Sequence, residues 1–269
     1  MLEERIRTAL VLGAALIVVL FALPARATIA VITAAILAGA WEWSALIGVN
    51  GRVSRAARFG YLLLVTAAIA ALALPRPALL GADTVLALAI GWWIVALGWI
   101  LLAPLSAPRP AGALAGILAL VPAWYALVHL RLDFAAGAQW ILFLLVLVAA
   151  ADSCAYFAGR RFGRVKLAPR VSPGKTWEGV LGGLVGGCLA GWAGAAWFGL
   201  AVSSFVLLAA AVVAFSIVGD LAESLLKRRA GVKDSGSLFP GHGGMLDRID
   251  SLTAAAPVLL AGLNALGVS

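Results

Sequence analysis

The sequence predicts an all-α integral membrane protein of about nine transmembrane helices, with its N-terminus cytoplasmic and its C-terminus outside. Three observations carry this. Of 269 residues, 64% are hydrophobic and 12% charged, against roughly 45–50% and about 25% in a soluble domain. The apolar residues fall into nine runs near the ~20-residue length that crosses a bilayer. The basic residues lie overwhelmingly on one side of the resulting topology, as expected for cytoplasmic loops. No polar stretch is long enough to fold separately, so the reading is one membrane domain over 1–269. Within it, 1–135 is a helical scaffold and 136–269 holds the helices and loops with chemistry.

The first run begins after Arg7. Its basic start is weak and no small-residue cleavage site follows, so a retained helix is expected rather than a signal peptide. The nine spans are roughly 7–23, 26–47, 59–74, 84–102, 111–130, 139–158, 176–199, 202–226 and 251–268. Between them stand Pro24-Ala-Arg26, Gly48 to Gly51, Pro75-Arg-Pro77, Pro104 to Pro110, and Pro173-Gly174, which interrupt helices. With the N-terminus inside, 17 of the 20 Lys and Arg are cytoplasmic, and only Arg26, Arg76 and Arg131 fall outside. Eight or ten spans would break that alternation.

The net charge of +8 lies in membrane-flanking loops. It suits anionic headgroups or a phosphorylated substrate better than nucleic acid. Cys154 and Cys188 sit in apolar runs without a pairing or zinc-ligand pattern. Glu42, between Trp41 and Trp43, reads as an interfacial group, as does His129. The ten tryptophans suit interfacial belts.

Ionisable groups inside apolar runs are costly and therefore candidate functional groups. Asp152 lies in the sixth run, with Tyr156 one turn later on the same face. It reads either as a carboxylate at a cavity or as one locked to a basic residue of the following loop. Ser172-Pro-Gly-Lys175-Thr176-Trp-Glu178 opens the seventh run. It is not a Walker loop, yet a lysine and backbone N–H groups at a helix start favour an anion. Capping with a snorkelling lysine would also account for it, and Glu178 can complement the helix dipole. Asp220, Glu223 and Ser224 share one face at the end of the eighth run.

The densest polar run is Ser224 to Asp250. Lys227, Arg228, Arg229 and Lys233 come first, then Asp234, Asp247, Arg248 and Asp250. Its middle, Pro240-Gly-His242-Gly243-Gly244, is a turn able to bring backbone N–H groups close to a ligand. An antiparallel helix pair joined by this loop can bring Asp220 and Asp247 together. Two carboxylates among so many cations suit Mg²⁺ bridged to phosphates rather than an all-protein cage. Ion pairing alone leaves the long Gly-rich loop unexplained.

The runs Ser224-Leu-Leu-Lys227-Arg228, Lys233-Asp234 and Leu238-Phe-Pro240-Gly-His242-Gly243-Gly244-Met-Leu-Asp247-Arg248-Ile-Asp250 closely resemble the signature of the phosphatidate cytidylyltransferases, or CDP-diacylglycerol synthases. Asp152-x-x-x-Tyr156-x-x-Gly159-Arg160 and Ser172-Pro-x-Lys175-Thr176-Trp177-Glu178-Gly179 also look like motifs of that family. The resemblance covers roughly residues 140–269, the first five spans being similar only as generic hydrophobic helices.

The resemblance implies a membrane enzyme that converts CTP and phosphatidic acid to CDP-diacylglycerol and pyrophosphate with Mg²⁺. One or two ions are implied, the second open to being monovalent, at the Asp220 and Asp247 positions. Asp152 is a further candidate ligand or an orienting group. Asp220, Asp247, Lys227 and Arg248 are candidate catalytic residues. Ser172, Lys175, Arg228, Lys233, His242, Gly243 and Gly244 are candidate substrate contacts. Membrane lipids and a second copy of the chain, as a homodimer, are the partners the resemblance implies, with no nucleic acid. The expected place is a bacterial inner (cytoplasmic) membrane, with the active site on the cytoplasmic side.

Three other readings compete. A CTP-dependent polyprenol or phytol kinase would need a group to accept the hydroxyl proton, and the full signature argues against it. An anionic-solute transporter needs a polar path through spans one to five, and none is visible. A structural protein with a lipid-binding loop leaves Asp152, Asp220 and His242-Gly-Gly without a purpose.

Overall fold

The computed structural model describes residues 11, 13–47, 53–73, 81–102, 109–239 and 243–268. The readings placed on Arg5, Arg7, Arg52, Arg76, Pro240, Gly241 and His242 lie outside these residues. Helices occupy the expected runs: α1 (Gly13–Ala22, π-helical over Val18–Ala22), α2 (Ala25–Leu46), α3 (Arg55–Ala73), α4 (Ala82–Leu102), α5 (Arg109–Leu132), α6 (Gly137–Phe162), α7 (Trp177–Phe198), α8 (Val202–Ala230) and α9 (Leu246–Ala265). Among the described residues, the seven helices α2 to α8 are long and apolar enough to cross a membrane.

One element departs from the all-helical expectation. Between α6 and α7, β1 (Lys166–Ala168) and β2 (Ser172–Thr176) form an antiparallel hairpin, with Lys166 opposite Thr176 and Ala168 opposite Ser172. Its strands are too short and too polar to be read from periodicity, and tertiary contacts hold them.

The most extensive packing is between α6 and α7 and between α8 and α9. Along α7, Gly183, Gly186, Gly187 and Gly191 are the contact residues. A methyl group at Gly186 would lie 2.6 Å from Cys154 Sγ of α6, and one at Gly187 would lie 2.5 Å from Val213 of α8. Small residues at such crossings let backbones approach where no hydrophobic force drives helices together in lipid. Both cysteines are free thiols. At the opposite end, Trp140 of α6 stacks on Phe198 of α7 with centroids 3.6 Å apart, and Phe143 and Phe205 complete the cluster.

Helix α9 is the axis of the bundle. It touches α2, α4, α5, α6 and α8, and Leu246, Ala254, Ala255, Ala256, Leu259 and Leu263 are wholly buried. A helix shielded from lipid by protein need not be uniformly apolar, so it can carry Asp247, Arg248 and Asp250 in its first turns. Gly219 of α8 faces the Asp250 carbonyl, where a Cβ would stand 2.6 Å from the oxygen. Antiparallel alternation brings the end of α6, the hairpin, the start of α7, the end of α8 and the start of α9 to one end of the bundle.

That crossing predicts the effect of bulk. Gly219→Val should push α9 off α8 and cost about 1–3 kcal/mol by overpacking. The expected result is a lower thermal-unfolding midpoint in detergent, while Gly174→Val, at a position with open space around it, leaves the midpoint unchanged.

Candidate active site

The hairpin is fixed to the start of α7 by three local contacts. Thr176 Oγ1 accepts from Gly179 N at 3.1 Å and caps the helix. Trp177 N donates to Val165 O at 2.9 Å. The Glu178 carboxylate accepts from Val165 N at 3.2 and 3.3 Å. Glu178 therefore ties down the hairpin as well as standing in the first helical turn. Gly163 gives Thr176 room against α6, where a Cβ would meet its Oγ1 at 2.9 Å.

Held in this way, Ser172, Gly174 and Lys175 line a cavity of about 450 Å³. Asp152, Tyr156 and Arg160 of α6 and Asp220 of α8 complete its polar wall. Lys175 Nζ stands 2.8 Å from Asp220 Oδ2, and Ser224 Oγ donates to Asp220 Oδ1 at 3.3 Å. Asp152 is within electrostatic range of both Asp220 and Lys175. Arg160 Nη1 donates to Tyr156 Oη at 2.9 Å. The wall thus presents cations and carboxylates side by side, as a phosphate-bearing ligand with a metal ion would require.

A second polar network runs along the α8–α9 seam at the same end. Lys227 Nζ lies 2.6 Å from Glu223 Oε2 and 2.7 Å from Asp247 Oδ1. The three side chains are 15%, 1% and 8% exposed, so the pair of carboxylates depends on this one ammonium. Asp247 Oδ2 also accepts from Ser235 N at 2.9 Å, Ser235 Oγ at 2.8 Å and Gly244 N at 2.8 Å. Asp250 lies within electrostatic range of Asp220, Glu223 and Lys227, joining the seam to the cavity.

The sequence-predicted residues divide between these two networks. Asp152, Ser172, Lys175 and Asp220 share the cavity, while Lys227, Gly244 and Asp247 belong to the seam. Lys227, expected to offset phosphate charge, has two of its three donors on carboxylates. Arg228, Lys233 and Arg248 are exposed around the loop, and Arg228 Nε donates to Val171 O at 3.3 Å, against the hairpin. Gly243 has φ +79° and accepts from Phe239 N at 2.9 Å across the turn, a backbone that favours glycine. His242 falls outside the described residues.

Two participants escaped the sequence reading. Ser235 was one polar residue among many in a loop. Glu42, expected at the interface, is instead buried (8% exposed) against the start of α9. It accepts from Met245 N at 3.0 Å, Leu246 N at 2.7 Å and Ser235 Oγ at 3.0 Å. Its flanking residues drew the interfacial reading: Trp41 lies under the Arg58 guanidinium at 3.9 Å, but Trp43 is buried and donates to Gly112 O at 3.0 Å.

Among the described residues no three His, Cys, Asp or Glu side chains converge tightly enough to hold a metal alone. Mg²⁺ does not need such a cage. It is usually held by one or two carboxylates together with water and substrate phosphates, and Asp152 and Asp220 on one wall of the cavity fit that requirement.

Residues 3–266 match the cytidylyltransferase family. The chain is 44% identical over 279 residues to the phosphatidate cytidylyltransferase of Pseudomonas aeruginosa, covering 99% of this chain and 98% of the relative. It is 49% identical over 150 residues to the phosphatidate cytidylyltransferase of Haemophilus influenzae, covering 54% of this chain and 50% of that relative. For the Thermotoga maritima protein of the same name, 44% identity extends over 133 residues, 45% of this chain and 48% of the relative. The full-length match shows that the likeness reaches the first five helices as well as the signature.

The seam yields a stability prediction. Lys227→Met leaves Glu223 and Asp247 as uncompensated buried carboxylates and should cost about 3–5 kcal/mol. The unfolding midpoint in detergent should fall accordingly, and adding Glu223→Gln should restore part of the loss.

Proposed function

The chain belongs to the cytidylyltransferase family, and from that membership we propose how its residues carry out the reaction. The reaction is cytidylyl transfer from CTP to phosphatidate, giving CDP-diacylglycerol and pyrophosphate. A phosphatidate phosphate oxygen attacks the α-phosphorus of CTP, the new P–O bond forms, and the bond to the β-phosphate oxygen breaks with its electron pair leaving on pyrophosphate. The nucleophile is already an anion, so no base has to take a proton. The barrier is mainly repulsion between phosphates and their alignment, which fixed cations and positioning lower.

The observation that carries the residue assignment is the cavity wall where Lys175 and Asp220 meet at 2.8 Å beside Asp152 and Ser172. Lys175 and Ser172 contact phosphate oxygens from the hairpin, whose capped attachment to α7 keeps them in place. Arg228, Lys233 and Arg248, exposed around the α8–α9 loop, draw the anionic substrates in and contact their phosphates, an arginine being suited to bidentate binding. Gly243, partly exposed at the turn, offers close backbone approach, while Gly244 N is engaged by Asp247. Lys227 holds Asp247 in register and keeps one donor for a phosphate oxygen. Asp220, with Asp152 on the same cavity wall, and Asp247, from the adjoining seam, are the residues that would hold Mg²⁺. When bound, that ion supplies charge neutralisation for the attacking and leaving oxygens.

We place the nine helices across the membrane with the N-terminus cytoplasmic, α9 being the protein-shielded ninth and α1 a short first. The basic residues of the hairpin and the α8–α9 loop then face the cytoplasm, where CTP is soluble. The phosphatidate headgroup enters the cavity while its acyl chains stay in lipid, in a bacterial inner membrane. The exposed stripe Leu181, Val185, Leu189 and Trp192 on α7 suits contact with lipid, and a homodimer would need such a face. A kinase would require a proton acceptor for an alcohol, and transport would require a polar path across the bundle. The full-length likeness favours neither.

Purified protein in phosphatidate micelles with Mg²⁺ and CTP labelled at the α-phosphate tests this. Label in the lipid with release of unlabelled pyrophosphate is the expected result, and Asp247→Asn should abolish it when activity is compared per folded molecule. Label reaching an added polyprenol only from the γ-phosphate would establish a kinase instead. Absence of transfer to either lipid would point to binding or transport.

A further inference from the structure

We infer that Glu42, on the second helix of the N-terminal half, is a positioning residue for the transfer reaction, acting through Ser235 and the start of α9 on Asp247. The inference rests on cytidylyl transfer being the reaction and on Asp247 belonging to its site.

The first residues of a helix leave backbone N–H groups without intrahelical partners. At the start of α9 those donors are divided between two carboxylates from opposite halves of the chain. Gly244 N donates to Asp247 Oδ2, whereas Met245 N and Leu246 N donate to Glu42. Ser235 Oγ lies between them, 3.0 Å from Glu42 Oε2 and 2.8 Å from Asp247 Oδ2, with a single proton to give. Asp247 N in turn donates to Ser235 Oγ at 3.3 Å. Glu42 thus fixes both the backbone that carries Asp247 and the hydroxyl that orients its Oδ2.

The loop is shaped around this carboxylate. A methyl group added at Gly236 or Gly244 would run into the Glu42 carboxylate, so both positions need the close approach that glycine permits. Glu42 itself is held in a packed surround. Ala40 and Trp43 are buried, and Trp43 donates to Gly112 O of α5 at 3.0 Å. Among the described residues the hydrogen bonds of Glu42 are with Ser235, Met245 and Leu246, none of which lines the cavity. Its effect must therefore pass through Ser235 and α9 rather than through direct contact with substrate.

The test uses the full chain in phosphatidate micelles with Mg²⁺, each variant compared with the wild type per folded molecule. Glu42→Gln keeps the volume but replaces one acceptor oxygen with an amide donor facing N–H groups. Expected is a fall in kcat of about tenfold or more, as for loss of a charged hydrogen bond, with KM for CTP and for phosphatidate within about twofold. Ser235→Ala should show the same split, and the double variant should lose no more than the worse single one, because both act along one path. Unchanged kcat in Glu42→Gln, or losses that multiply in the double variant, would reduce Glu42 to a helix cap and overturn the inference. If Glu42→Gln does not accumulate folded protein, Gly236→Ala perturbs the same carboxylate from the loop side. It should show the kcat loss, and wild-type kcat there would likewise overturn the inference. Failure of the wild type to transfer label would instead count against the reaction.

Discussion

The ammonium of Lys227 between Glu223 and Asp247 is the contact on which the polar end of this bundle depends. Taking two carboxylates out of water is costly, and their attraction to one buried lysine compensates only when the geometry is close and the other lone pairs are hydrogen-bonded. Here the distances are 2.6 and 2.7 Å, and Asp247 has three further donors. Asp247 meets that condition, whereas Glu223 Oε1 is buried without a hydrogen-bond partner among the described residues and Glu223 relies on Lys227. On this footing α9 can begin with charged residues at the centre of a membrane bundle. Without it, the charges required for phosphate chemistry would have no stable place beside the cavity.

Close backbone packing makes this contact reachable. Gly219 sets α8 against the Asp250 carbonyl, and the glycines of α7 draw α6 and α8 together. The cavity opens where that packing ends, at the hairpin and the last turns of α6 and α8. Its wall mixes Asp152 and Asp220 with Lys175. A cation-bridged phosphate is the kind of guest that satisfies both signs of charge at once. Chemistry and packing therefore meet at the same end of the bundle.

Most of the fold was legible because apolar length and punctuation dominate in membrane proteins. Each expected run contains a helix, and the boundaries moved by a few residues where helices extend beyond the apolar core, as α6 does to Phe162 and α8 to Ala230. The hairpin was not legible: Thr176, Glu178 and Gly163 hold it by tertiary contacts that leave no periodic trace. In the site, Asp152, Lys175, Asp220 and Asp247 stood out as charges within or beside apolar runs. Glu42 gave the same signal but was misplaced, since its partners lie 193 to 204 residues away and its neighbouring tryptophans suggested an interface. Of the glycines that accommodate it, Gly244 was read as ligand-facing, and Gly236's crowding against Glu42 had no sequence counterpart.

The central claim is that the cavity between α6, the hairpin, α7 and α8 and the Asp247 seam form one nucleotide-binding site. A structure of the chain with Mg²⁺ and a CTP analogue whose α–β bridging oxygen is replaced by methylene tests it most directly. The account predicts the triphosphate against Ser172, Lys175 and Asp220, with Asp247 facing the same metal–phosphate centre. A nucleotide bound elsewhere, leaving this cavity free, would contradict it.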